Sequence, residues 1–226
     1  LSGQASSHPP ALPNGLTAPA GYRHTWDERE ADIRRFQGQP VRVCGNQSGG
    51  VLFPGTDPAT CVRSLQNEFD DSNYNLTLDW QVTSDLMVYV SHRKGYKAGG
   101  FNISAPLPSQ TAYEPEVVKD YEAGLKADWR LGGAPLRTNF AIFQSDYENI
   151  QAGFLVRDPI TGSPSQVILN ADPVTGQSNE AKFTGYEIEA ALAPTGWLNL
   201  SAFYSAVSPS YGEFINSGVD FKGANV

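Results

Sequence analysis

The run VVKDYEAGLKADW, Val117 to Trp129, decides the fold. Tyr121, Ala123, Leu125, Ala127 and Trp129 fall on one parity, while Glu122, Lys126, Asp128 and Arg130 fall on the other. That is a strand with one apolar and one charged face. Leu131-Gly132-Gly133-Ala134-Pro135 breaks the run, and Leu136 to Gln151 resumes it with Phe140, Ile142, Phe143 and Tyr147. A hairpin of two long strands follows. A mean globular strand has about 5 to 6 residues, whereas each of these runs to about 10 or more, enough to cross a bilayer at a tilt.

The same pattern extends in both directions. Upstream, Tyr74, Leu76, Leu78, Trp80 and Val82 alternate with Asn75, Thr77, Asp79 and Gln81; a turn at Thr83-Ser84-Asp85 leads into Leu86 to Tyr96. Downstream, Lys182 to Leu192 alternates, Ala193-Pro194-Thr195-Gly196 turns, and Trp197 to Val207 returns. The expectation is an all-β, antiparallel up-and-down meander of about six strands over 73–226. Its connections alternate short and long, as in a barrel with one trimmed rim and one elaborate rim. Trp80, Trp129 and Trp197 each sit beside a short turn. Indole rings collect at a membrane interface because they are apolar in body and polar at N–H, so these three are expected at one rim.

Residues 1–72 are rich in Pro, Gly, Ser, Asn and Gln and read as an irregular, external loop region. Thr25-Trp26-Asp27-Glu28 has capping-box spacing and predicts a short helix. Val41-Arg42-Val43 and Val51-Leu52-Phe53 are expected to form a small hairpin. Cys44 and Cys61, the chain's two cysteines, match no zinc spacing; a disulfide is the preferred reading over two free thiols.

Composition narrows the class. Of the 226 residues 40% are hydrophobic, and no run nears the roughly 18 apolar residues of a membrane helix. A net charge of −8 without a basic stripe argues against nucleic acid as a partner. His8, His24 and His92 are not at metal-ligand spacing, and no cofactor motif is present.

Four motifs in order, GYKAGGFN within Leu86 to Asn102, PEVVKDYEAGLK within Tyr113 to Trp129, FAIFQSDYENIQ over Phe140 to Gln151 and GYEIE within Phe183 to Leu192, closely resemble the barrel of TonB-dependent outer-membrane receptors. The resemblance covers about two thirds of the chain. It implies a 22-stranded barrel in the bacterial outer membrane, occluded by an N-terminal plug. It further implies uptake of a scarce small nutrient (siderophore, vitamin or glycan), driven by an inner-membrane coupling protein acting through the plug. No plug, coupling box or terminal aromatic strand is found, so the expectation is an internal fragment of such a receptor, with outer-membrane lipid as its other partner.

Candidate residues follow. Arg93, Lys94, Tyr96, Lys97, Phe101 and Tyr113 are expected to face ligand from a long loop and its base; a structural turn is the competing reading. Glu122, Lys126, Arg130, Glu187 and Glu189 are expected as charges of a wet lumen. Glu187 and Glu189 also admit a glycosidase-type acid pair, which is disfavoured, and no catalytic residue is assigned. A secreted soluble β-sandwich that binds a ligand is the alternative to a receptor. It would bury the apolar parity against a second sheet rather than in lipid.

Overall fold

The computed structural model describes residues 2–7, 15–38, 41–48, 50–212, 215–216, 219–220 and 222–224. Its main element is a nine-stranded antiparallel sheet of β1 (Ser2–Ser7), β2 (Leu16–Thr17), β3 (Ala20–Arg34), β4 (Val62–Thr83), β5 (Leu86–Lys97), β6 (Glu116–Leu131), β7 (Ala134–Glu148), β8 (Ala181–Thr195) and β9 (Leu198–Tyr211). The order is β1-β3-β4-β5-β6-β7-β8-β9, with β2 pairing beside β4. This is a meander in sequence order, as the alternating connections require. Among the described residues no second sheet lies against the wall, which disfavours the sandwich alternative.

The register explains the geometry. Val117–Glu148 to Leu131–Ala134 pair without a fault across β6 and β7. Gly132 and Gly133 close this hairpin with φ of +60° and +90°. Both central positions of such a two-residue turn need the left-handed region, and glycine reaches it without a Cβ penalty. The tight turns after β4, β6 and β8 lie at one end of the sheet; the long connections after β3, β5 and β7 lie at the other.

Two expectations for residues 1–72 are corrected. The stretch with capping-box spacing is no helix: Ala20–Arg34 is a 15-residue strand. It pairs with β4 from Ala20–Leu76 to Arg34–Val62. The wall therefore begins far upstream of residue 73: the six strands expected over 73–226 are β4 to β9, and β1, β2 and β3 are added before them. β4 pairs with β5 only from Tyr74–Lys94 onward. Its first 12 residues, 62–73, climb with β3, joined otherwise by a single bridge between Arg63 and Thr56, a rise of roughly 40 Å along the strand. In this extension both faces meet water or loops, so no apolar parity marks it. The expected 41–43/51–53 hairpin is also replaced: Phe36–Gln37 pairs with Val43–Cys44, and Gln47–Ser48 with Val51–Leu52.

Cys44 and Cys61 are bonded, with Cα atoms 5.5 Å apart. The buried apolar cluster of Ala105, Phe154, Val156, Val167 and Leu169 lies not under the wall but in the loop layer, around a hairpin of Ala152–Arg157 and Pro164–Leu169.

Candidate ligand-facing wall and loops

Register sorts the wall into two faces. One face carries the cross-strand row Trp80, Val88, Leu125, Phe140, Ile188, Tyr204, and next to it Leu78, Val90, Ala123, Ile142, Tyr186, Ala206. Apart from Ala123 and Ala206 these side chains are large, and none of them is buried; Val90, Ile142 and Tyr204 are 52%, 50% and 57% exposed. An exposed apolar surface of this extent on a folded chain marks a surface that meets something apolar.

The apolar band ends in polar rows. His92 stacks on Tyr121 at 4.3 Å and shares a 2.8 Å hydrogen bond with the Tyr74 hydroxyl. Beyond it the same parity carries Lys94, Lys119, Asp146 and Lys182. Lys119 donates to Glu148 at 2.6 Å, and Lys182 lies 3.5 Å from Asp146. At the other end stand the tryptophans. Trp80 and Trp129 lie near the ends of β4 and β6, Trp129 donating to the Thr138 hydroxyl at 2.8 Å, and Trp197 sits in the turn before β9. All three are at the tight-turn end, although Trp80 shares its row with Leu125 rather than Trp129. From Tyr121 to Trp129 the strand rises roughly 27 Å, or about 20 Å of height at a 40° tilt.

The opposite face is wet and charged. Arg93 bridges Asp120 and Glu122 at 2.5 Å each, the Tyr89 hydroxyl donates to Glu122 at 2.6 Å, and Ser145 donates to Asp120 at 2.8 Å. Lys126 sits 5.7 Å over the Tyr89 ring. Asn139 donates to Glu189 at 2.7 Å, while Glu187 faces Ala141 and Ser205. Arg130 lies at the turn, with a 3.4 Å contact to the Gly133 carbonyl. The expected lumen charges thus share one parity, and Glu189 is engaged by an amide rather than by Glu187.

Two glycines on this face make room for rings. A Cβ on Gly124 would lie 2.6 Å from the Tyr89 ring, and one on Gly185 would lie 2.6 Å from Phe143. Each ring lies flat across its cross-strand glycine, which holds the Tyr89 hydroxyl at Glu122.

The six loop candidates do not form one surface. Arg93 and Lys97 belong to the charged parity of β5, and Lys94 and Tyr96 to the other. Lys94 forms an ion pair with Asp71, and the Tyr96 hydroxyl donates to Asp27 at 2.7 Å. These contacts clip the β3–β4 extension onto the wall where β4 leaves the ladder. Gly100–Phe101 pairs with Ala112–Tyr113 in a separate small ladder. Asparagines and a glutamine that sequence reasoning passed over tie the loop layer together. Buried Asn102 donates to the Ile168 carbonyl at 2.7 Å and accepts from its N–H at 2.8 Å, and Gln151 donates to the Ala98 and Glu114 carbonyls at 2.9 and 3.1 Å. The burial of Asn102 is the signal that marks it.

The turn carboxylates Asp57 and Asp158 are locally satisfied. The Thr60 hydroxyl and Ala59 N–H hold the Asp57 carboxyl below its ordinary range, and the backbone N–H groups of Thr161 and Ile160 do the same for Asp158. Burial pushes the Arg63 guanidinium down; it donates to the Pro54 carbonyl at 3.1 Å and the Thr111 hydroxyl at 3.0 Å. Among the described residues no group of three or more His, Cys, Asp or Glu is placed to hold a metal ion.

Comparison with known proteins agrees with this geometry. A family model described as TonB dependent receptor-like, beta-barrel, matches residues 11–225. The ferric yersiniabactin uptake receptor FyuA from Yersinia pestis superposes with a TM-score of 0.62 at 16% identity, over 96% of this chain and 27% of that one. The ferric-catecholate import receptor Fiu from K12 E. coli gives 0.55 at 17% identity, over 93% of this chain and 27% of that one. The chain thus spans about a quarter of the length of the receptors it matches.

Proposed function

The chain belongs to the TonB-dependent receptor β-barrel family, and from that premise we propose that it forms part of the wall and outer loops of an outer-membrane receptor that takes up a scarce small nutrient. The observation that carries this reading is the one-sided wall. An apolar, uncovered parity runs across β4 to β9, with the tryptophans at one end of the band and lysine–carboxylate rows at the other. The apolar parity faces lipid, and the parity of Arg93, Glu122 and Lys126 faces a wet lumen.

The long connections, including the disulfide-closed segment after β3, stand outside the cell. Phe101 and Tyr113, with Arg93 and Lys97 at the base of their loop, meet the incoming nutrient; Lys94 and Tyr96 hold the frame. Energy comes from an inner-membrane coupling protein acting through a plug in the lumen. Siderophores lead the three ligand classes, because the relatives named above are described as importing ferric yersiniabactin and ferric catecholates; vitamins and glycans follow.

The test is uptake. Cells with and without the full-length receptor, and with and without the coupling protein, are given labelled ferric siderophores, cobalamin and oligosaccharides. Accumulation of one of these that needs both proteins is the expected result. Uptake of all of them unchanged by loss of the receptor would overturn the reading.

A further inference from the structure

We propose that Asp172 and Asn179 together hold a hard divalent cation of the calcium class in the loop layer, where the connections after β5 and β7 meet. Asp172 and Asn179 are 1% and 0% exposed, among the most deeply buried side chains of the chain. The Asp172 Oδ1 atom accepts from the N–H groups of Val174 and Thr175, both at 2.8 Å. Its Oδ2 atom is buried and has no hydrogen-bond partner, and neither has the Asn179 Oδ1 atom.

The two orphan oxygens belong to neighbours. Ala171 bridges Ser178, the Asp172 N–H donates to the Gln177 carbonyl, and the Asn179 N–H donates to the Asn170 carbonyl. Asp172 and Asn179 therefore sit diagonally on one face of the same short hairpin. Diagonal neighbours have Cβ atoms about 7 Å apart or less, a gap that two short side chains bridge through an ion with oxygens at about 2.3–2.6 Å. A carboxylate oxygen and an amide oxygen are two acceptors with nothing to accept. A hard cation satisfies both and offsets the buried charge.

The chain contains its own control. DPITGS at Asp158 and DPVTGQ at Asp172 are near-repeats with the same turn: Asp158 Oδ1 accepts from Ile160 and Thr161 at 2.8 and 2.9 Å. Asp158 is only half-buried, whereas Asp172 is sealed. Turn chemistry accounts for one oxygen in each repeat, and not for the burial of the second. Position adds a reason. Asn170, on the same hairpin, binds the Glu114 backbone N–H and carbonyl and the Asn149 carbonyl, while the Ile150 N–H donates to Asn179. An ion here would stiffen the hairpin whose Asn170 pins the connection after β5 to that after β7.

The inference does not depend on the transport reading, and its test is binding. The full-length receptor in detergent, stripped with a chelator, is titrated calorimetrically with calcium chloride. The expected result is one site with an affinity in the 10⁻⁴ to 10⁻³ M class of extracellular modules. Asp172→Asn keeps an acceptor for the turn and should weaken binding at least tenfold; Asp158→Asn should leave it unchanged. Asn179→Asp adds a second carboxylate and should tighten binding, which decides the matter if Asp172→Asn does not fold. No calcium uptake by the wild type, undiminished binding by Asp172→Asn, or an Asn179→Asp variant that binds no better would each overturn the proposal in favour of a buried water or a protonated carboxyl.

Discussion

Gly124→Ala adds one methyl group to the wet face of β6, and the structure says what it meets. The new Cβ would stand 2.6 Å from Cε1, Cζ and the hydroxyl oxygen of Tyr89. Ordinary contact begins near 3.4 Å, so the ring must retreat by roughly 0.8 Å or rotate off the strand. Either movement strains the 2.6 Å hydrogen bond to Glu122, a bond to a charged group worth about 1.5–3 kcal/mol. Overpacking alone costs about 1–3 kcal/mol, and alanine recovers less than 1 kcal/mol over glycine in a strand interior. The net expectation is a loss of about 2–3 kcal/mol. The assay is urea unfolding of the full-length receptor in detergent, as a double-mutant cycle with Tyr89→Ala. In the Tyr89→Ala background Gly124→Ala should be neutral or mildly stabilising. An equal penalty in both backgrounds, or none in the wild type, would refute the argument that the glycine exists to seat the ring.

Other consequences can be checked alongside. Reduction and alkylation should add two labels at Cys44 and Cys61 and open residues 50–60 to protease, because cutting the disulfide returns closure entropy to the unfolded chain and removes about 3 kcal/mol of stabilisation. Arg93→Met leaves Asp120 and Glu122 facing each other without their cation. With Arg93 itself partly in water the expected cost is about 1–3 kcal/mol, most of it recovered by adding Glu122→Gln. Asp57 and Asp158 have depressed folded-state values; their contribution is present above the ordinary carboxylate range and is lost as pH falls through the depressed value. Amide protection in 57–62 and 158–163, taken as exchange relative to the unstructured rate at each pH, should therefore be constant from pH 7 to about 4.5 and fall only below the usual carboxylate pKa of about 3.9.

The wall strands from Tyr74 to Val207 were legible because each divides its residues between an apolar and a polar parity along most of its length. Where that division stops, legibility stops. β3 and the first half of β4 carry Glu28, Glu30, Asp32, Arg63 and Asn67 on mixed parities, so a ladder 15 residues long read as loop and helix. The strand start was placed at residue 73 because the apolar parity begins at Tyr74, not because pairing begins there. The site divides similarly. Alternation alone places Arg93, Glu122, Lys126 and Glu189 on one face. The pairing of Lys94 with Asp71 and Tyr96 with Asp27 depends on β4 leaving β5 at Tyr74, a long-range event without a local signature. Phe154 and Val156 are core residues although Leu155 between them is exposed, because the hairpin packs on Ala105 from a distant loop.

Sidedness tests the central claim most directly, since lipid-facing parity, trimmed rim and ligand-facing loops all depend on one orientation. Single cysteines are placed in the full-length receptor at Ser109, in the long connection between β5 and β6, and at Ser84, in the tight turn between β4 and β5. Intact cells are then treated with a thiol reagent that does not cross the outer membrane. The account predicts labelling at Ser109→Cys and none at Ser84→Cys until the membrane is permeabilised; labelling of Ser84→Cys on intact cells, alone or equally with Ser109→Cys, would contradict it.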